Sequence, residues 1–146
     1  KDQNNYFIDK YYKPDIQIKL AEELLKFSNS SIDISDGLFA DLEKLINDQK
    51  VSYKIHLNNV PISKPMKKLL YDRKLKKIKT ISNGDDYQIL FTASKNKLRI
   101  IKTISKKLKI KITKIGEILL PSNKSSIIDE KGKILKVNNK GYLHHF

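Results

Sequence analysis

The chain has 146 residues, with 30 Lys plus Arg against 16 Asp plus Glu and a formal net charge of +14. That length is one domain's worth, and a hydrophobic content of 39% supplies a core, which argues against disorder. The absence of cysteine excludes a disulfide scaffold, a thiolate nucleophile and a zinc–thiolate site, and no apolar run approaches the roughly 20 residues of a membrane span.

Residues 1–13 are polar and aromatic without a clear period and read as a linker or extended arm. The remainder, 14–146, reads as a single domain. Pro14 suits a first helical turn, and Ile16, Leu20, Leu24 and Phe27 fall at helical spacing, predicting a helix over 15–27. A short strand follows over 31–34. Leu38, Leu42, Leu45 and Ile46 then form one apolar stripe, predicting a second helix with Asp41, Glu43 and Lys44 facing water. Val51, Tyr53, Ile55 and Leu57 alternate with polar residues as in a half-buried strand, with His56 on its outward side.

Pro61 marks a turn into a lysine-rich helix over 64–72, and Ser82-Asn83-Gly84-Asp85-Asp86 is a turn cluster before a strand over 87–92. A further helix is predicted over 95–109. The rest reads as strands over 111–119, 126–128 and 134–137, the last two joined by the hairpin signal Asp129-Glu130-Lys131-Gly132. Helices interleave with strands early and strands cluster late, predicting an α+β fold in which a mixed β-sheet is layered with helices. The chain starts at Lys1 and its sole methionine is Met66, so a piece of a longer polypeptide is expected. With neither a membrane span nor a signal peptide, the expected location is the cytoplasm, with no membrane partner.

A charge of +14 raises nucleic acid as a partner, yet Arg73 and Arg99 are the only arginines among the 30 basic residues. Base reading and bidentate phosphate recognition lean on arginine, so a solvated lysine surface is the preferred reading and no nucleic-acid partner is expected. A lysine-rich module gripping RNA or another polyanion is the competing function. His144 and His145, near the end of the sequence, read as surface residues.

Two acidic clusters stand out. In Ile32-Asp33-Ile34-Ser35-Asp36-Gly37-Leu38, strand alternation puts Asp33 and Ser35 on one side, and Asp36 sits where the next helix begins. Two carboxylates and a hydroxyl beside free helix N–H groups can seat hydrated Mg²⁺ and the phosphates it bridges. Equally, Ser35 or Asp36 can simply cap the helix. The second cluster, Asn83-Gly84-Asp85-Asp86-Tyr87-Gln88, is either an ordinary turn whose Asp side chains bond their own backbone or a loop presenting carboxylates to a ligand.

These residues carry a resemblance. I-D-I-S-D-G-L followed by A-D-L, G-D-D-Y-Q-I-L-F-T about fifty residues on, I-G-E-I, and the final K-G-Y-x-H-x-F resemble the C-terminal half of the thiamine-monophosphate kinase family. That family shares its architecture with aminoimidazole ribonucleotide synthetase and related ATP-using proteins. The resemblance runs from about Tyr11 to Phe146. It implies ATP-dependent phosphorylation of thiamine monophosphate to thiamine diphosphate with Mg²⁺, and ATP as co-substrate. It places magnesium on Asp33 and Asp36, the nucleotide at Ser35, and thiamine monophosphate at Asp85 and Tyr142, and it calls for no general base. It also implies that much of the nucleotide site, and a homodimer contact, lie in an N-terminal domain, without which this fragment is inactive. Two departures bear on affinity: the family's G-G-E-D-Y-E is here Asn83-Gly84-Asp85-Asp86-Tyr87-Gln88, with Asn for Gly and a shorter carboxylate at Asp85.

Overall fold

The computed structural model describes residues 3–47, 49–84 and 86–135. Its first element is a helix, α1 (Gln3–Tyr12), where the sequence reading expects an extended arm. No glycine or proline interrupts these residues, and Pro14 ends the helix by disfavouring helical backbone at Lys13. The single helix expected over 15–27 breaks into one α-turn, α2 (Ile18–Ala21), and a 3₁₀ turn, Leu24–Lys26. Leu20 and Phe27 are buried while Ile16 stays exposed, so the apolar stripe is too short to hold a continuous helix against the core.

Two sheets follow. β1 (Ser30–Asp33) pairs antiparallel with β3 (Ile89–Thr92), from Ser30 opposite Thr92 to Asp33 opposite Ile89. The second sheet has the order β4-β2-β5-β6, built from β2 (Ser52–His56), β4 (Gly116–Leu119), β5 (Ser126–Ile128) and β6 (Ile134–Leu135). Its β2–β5 pair is parallel and its other pairs are antiparallel, so this sheet is mixed, as the sequence predicts. Of the strand expected over 111–119, only the last four residues form regular strand, with the His56 N–H also donating to the Ile115 carbonyl at 2.9 Å. The β5–β6 turn forms as read: the Asp129 carboxylate accepts the N–H groups of Lys131 and Lys133, both at 2.8 Å.

Four further helices lie among the described residues. α3 (Leu38–Leu45) follows β1, and α4 (Lys64–Asp72) begins where the Ser63 hydroxyl accepts the Met66 N–H at 3.2 Å. α5 (Lys77–Ile81) is not legible, since five residues with two isoleucines are too short a window to establish a period. α6 (Leu98–Leu108) follows a 3₁₀ turn, so the helix expected over 95–109 starts late.

The β1–β3 ribbon separates two apolar clusters. Leu90 and its cross-strand partner Ile32 face the larger, with Leu38, Phe39, Leu42 and Leu45 of α3, Tyr53 and Ile55 of β2, Ile81 of α5 and Ile127 of β5. Ile89 and Phe91, on the opposite face, pack with Leu20, Phe27 and Ile104. Helix α3 is thereby clamped between the ribbon and the mixed sheet, which fixes the β1–α3 junction. Among the described residues no helix is long and apolar enough to cross a membrane.

Candidate active site at the junction of two acidic turns

The first acidic cluster occupies the β1–α3 junction. Asp33 ends β1 and is exposed; Ser35 and Asp36 are half-buried; Gly37 is buried at the N-cap of α3. Gly37 has φ +122° and ψ 152°, a backbone that side-chain-bearing residues avoid, and a Cβ there would lie 2.3 Å from the Ser82 carbonyl oxygen. This glycine is required by both conformation and space.

Neither Ser35 nor Asp36 caps α3. The turn that leads into α3 is instead held from inside the helix by Asp41, which the sequence reading places in water and which is fully buried. One carboxylate oxygen, Oδ2, accepts the N–H of Ser35 at 2.9 Å, Asp36 at 2.9 Å and Gly37 at 3.2 Å. The other, Oδ1, accepts from Lys44 Nζ at 3.0 Å. A buried carboxylate is tolerable only when so satisfied, and its charge is further favoured beside the N-terminal end of the helix dipole. The signal was in the sequence: Asp41 is three residues from Leu38 and four from Leu45, inside the apolar stripe rather than opposite it.

The same Lys44 ammonium also ion-pairs with the Asp36 carboxylate. It thus bridges Asp36 and Asp41, and these two hydrogen bonds, Asp36's first, hold the ammonium above its ordinary pKa of 10.5. Lys44 is a site residue that sequence reading missed, because among 28 lysines nothing but geometry distinguishes it.

The second cluster is brought against the first. α5 ends at Ile81, and the turn after it passes so close to the β1–α3 junction that a Cβ on Gly84 would lie 1.9 Å from the Ser35 carbonyl oxygen and 3.1 Å from the Asp36 Cα. Beyond the turn the ribbon's pairing continues past its regular strands: Tyr87 N–H donates to the Ile34 carbonyl at 2.9 Å, and Ile34 N–H donates to the Gln88 carbonyl at 2.8 Å. The turn is therefore stitched to Ile34 on one side and packed on Ser35 and Asp36 on the other. Asp86 and Tyr87 are exposed there, and Tyr87 holds a left-handed backbone with φ 49°. The expected substrate residues Asp85 and Tyr142 lie outside the described residues.

The donor set suits magnesium. Among the described residues no three His, Cys, Asp or Glu side chains gather into a closed metal cage. Mg²⁺ does not need one, since it takes one or two carboxylates and fills its shell with water and phosphate oxygens. Asp33 and Asp36 offer two such carboxylates, one exposed and the other already balanced by a cation.

No family model matches the chain. It is 34% identical over 140 residues to the thiamine-monophosphate kinase of Buchnera aphidicola subsp. Acyrthosiphon pisum, a match covering 96% of this chain and 43% of that protein. Among solved structures it superimposes with a TM-score of 0.76 and 26% identity on AaThiL complexed with AMPPCP and TMP, covering 99% of this chain and 43% of the other. It superimposes with a TM-score of 0.71 and 26% identity on thiamine-monophosphate kinase from Stenotrophomonas maltophilia K279a, covering 84% and 37%. The α+β fold is that of the C-terminal domain of the aminoimidazole ribonucleotide synthetase-like superfamily. The chain thus spans less than half the length of the relatives it matches, and by sequence and fold together it belongs to the thiamine-monophosphate kinase family.

Proposed function

We propose that this chain is the C-terminal part of an enzyme that transfers the γ-phosphoryl group of ATP to thiamine monophosphate, giving thiamine diphosphate and ADP. The observation that carries the proposal is the meeting of the two acidic turns. Residues about fifty positions apart are locked together by Gly37 and Gly84 at backbone-contact distance, and this supports a single site shared by the two acidic turns.

In this reaction a phosphate oxygen of thiamine monophosphate attacks the γ-phosphorus, the new P–O bond replaces the bond to the β-phosphate oxygen, and ADP leaves. Little covalent help from the protein is needed; alignment of the two oxygens and cations on the developing charge carry the rate. Asp33 and Asp36 would hold magnesium, which would supply positive charge to offset that of the phosphates. Asp41 keeps Ser35 and Asp36 in one turn conformation, and Ser35 locates the nucleotide. Asp85 and Tyr142 hold the thiamine end, where an aromatic face suits the thiazolium cation. Residues 1–13 link to a further domain that completes the nucleotide site and forms a homodimer, so the isolated fragment turns over little.

The AMPPCP and TMP named for the related structure support this choice of co-substrate and substrate. The test is thiamine diphosphate formation by the full polypeptide at limiting Mg²⁺. Asp36→Asn is expected to lower turnover by roughly a hundredfold or more, as loss of a transition-state charge contact does. Unchanged turnover in that variant sinks the proposal.

A further inference from the structure

Among the lysines of this strongly basic chain, Lys44 stands apart. Its ammonium is shared between two carboxylates of unequal burial: Asp41, fully buried and already accepting three backbone N–H groups, and Asp36, whose side chain is 21% exposed. Lys44 itself remains 51% exposed on the last turn of α3, with water on its open side. The two bonds are therefore not equivalent. The Asp41 bond belongs to a buried network with no room for another cation, whereas the Asp36 bond lies at the surface, where another cation can compete.

The geometry points to Lys44 as a built-in counter-cation for Asp36, anchored on Asp41, which a divalent ion has to displace before it can use the Asp36 carboxylate. This inference rests on the metal assignment made above for Asp33 and Asp36. Before metal arrives, Lys44 holds the Asp36 carboxylate against the turn. On metal loading it gives up Asp36 and keeps its bond to Asp41 Oδ1, so the cap on Ser35, Asp36 and Gly37 is undisturbed. Lys44 is on this view a residue that sets the threshold concentration of divalent ion, and it touches neither nucleotide nor thiamine.

The consequence is measurable without turnover, by Mn²⁺ binding to the purified protein followed by electron paramagnetic resonance. Lys44→Met is expected to bind Mn²⁺ roughly three- to tenfold more tightly than the wild type, the worth of a half-exposed ion pair that no longer has to be broken. Lys102→Met, which removes the same charge from the exposed side of α6, is expected to change affinity less than twofold; Asp36→Asn is expected to abolish the gain. If Lys44→Met folds poorly, Lys44→Gln serves instead, since its amide still donates to Asp41. Equal or weaker binding in the Lys44 variant, or an equal gain in Lys102→Met, overturns the inference while leaving the metal site standing. Wild-type binding that is indifferent to Asp36→Asn overturns the metal assignment, and this inference with it.

Discussion

Replacing Asp41 tests whether the β1–α3 junction is held from inside the helix. In Asp41→Ala, three backbone N–H groups lose one shared acceptor, at least one of them in a buried setting, and Lys44 loses its buried partner. Breaking a buried charged network by removing one member costs roughly 3–5 kcal/mol. A domain's whole stability is about 5–15 kcal/mol, so this variant is expected to be marginally folded at best. Asp41→Asn keeps one carbonyl oxygen for the N–H groups but turns an NH₂ toward the Lys44 ammonium, and loses the charge that strengthens each bond. Its expected cost is about 1–3 kcal/mol. Urea unfolding followed by circular dichroism gives both numbers, and hydrogen exchange adds a local reading, since the amides of Ser35, Asp36 and Gly37 should lose protection before those of β2. A loss below 1 kcal/mol in Asp41→Ala, or unchanged exchange at the three amides, refutes the reasoning.

Three other outcomes follow from the same structure. Gly84→Ala drives a methyl group into the Ser35–Asp36 backbone, so the two turns must separate; the expected cost is roughly 1–3 kcal/mol together with weaker Mn²⁺ binding. Gly132→Ala is the control, because nothing lies within 4 Å and only its φ of +80° opposes the change, at about 1 kcal/mol and with Mn²⁺ binding intact. Glu23 is held below its ordinary pKa of 4.5, first by its bond to Lys26 and then by that to Lys107. A depressed carboxylate stabilises the fold above its unfolded pKa and loses that contribution as pH falls through the folded value. The melting temperature should therefore drop as pH is lowered below about 4.5. In Glu23→Gln the drop should be shallower; parallel curves would remove Glu23 from the account.

The sequence was informative where a single period or a turn chemistry decided the outcome. α4 has Ser63 to cap it and a proline in its first turn, and its bounds come out as read. The β5–β6 hairpin has Asp129 to close it, and β5 is found where expected. Legibility failed where tertiary contacts decided. The residues over 111–119 are β-branched enough to suggest a long strand, yet regular pairing with β2 covers only Gly116–Leu119, while Ile112 packs instead against the cluster of Leu20, Phe27 and Ile104. That glycine is itself a packing requirement, since a Cβ there would lie 2.3 Å from the Lys54 carbonyl oxygen. In the site, the strand-to-helix motif marked Asp33, Ser35 and Asp36 directly, while Asp41 and Lys44 were hidden by the habit of assigning charged residues to the solvent face.

The two glycines explain how a candidate site built from such ordinary residues holds one geometry. Carboxylates in a basic chain have many lysines within reach, and flexible turns would let each Asp find its own surface partner. Gly37 and Gly84 prevent this by allowing two backbones to meet where any side chain would hold them apart, and Asp41 then fixes the N–H groups of one of them. With the backbone set, Asp36 is held within reach of a lysine that Asp41 already retains. Charge at this junction is thus governed by a few fixed distances rather than by the net +14 of the chain. Adding salt should therefore weaken the loose lysine surface, where exposed charges are screened over about 10 Å at 0.1 M, far more than it alters the part-buried Lys44–Asp41 contact.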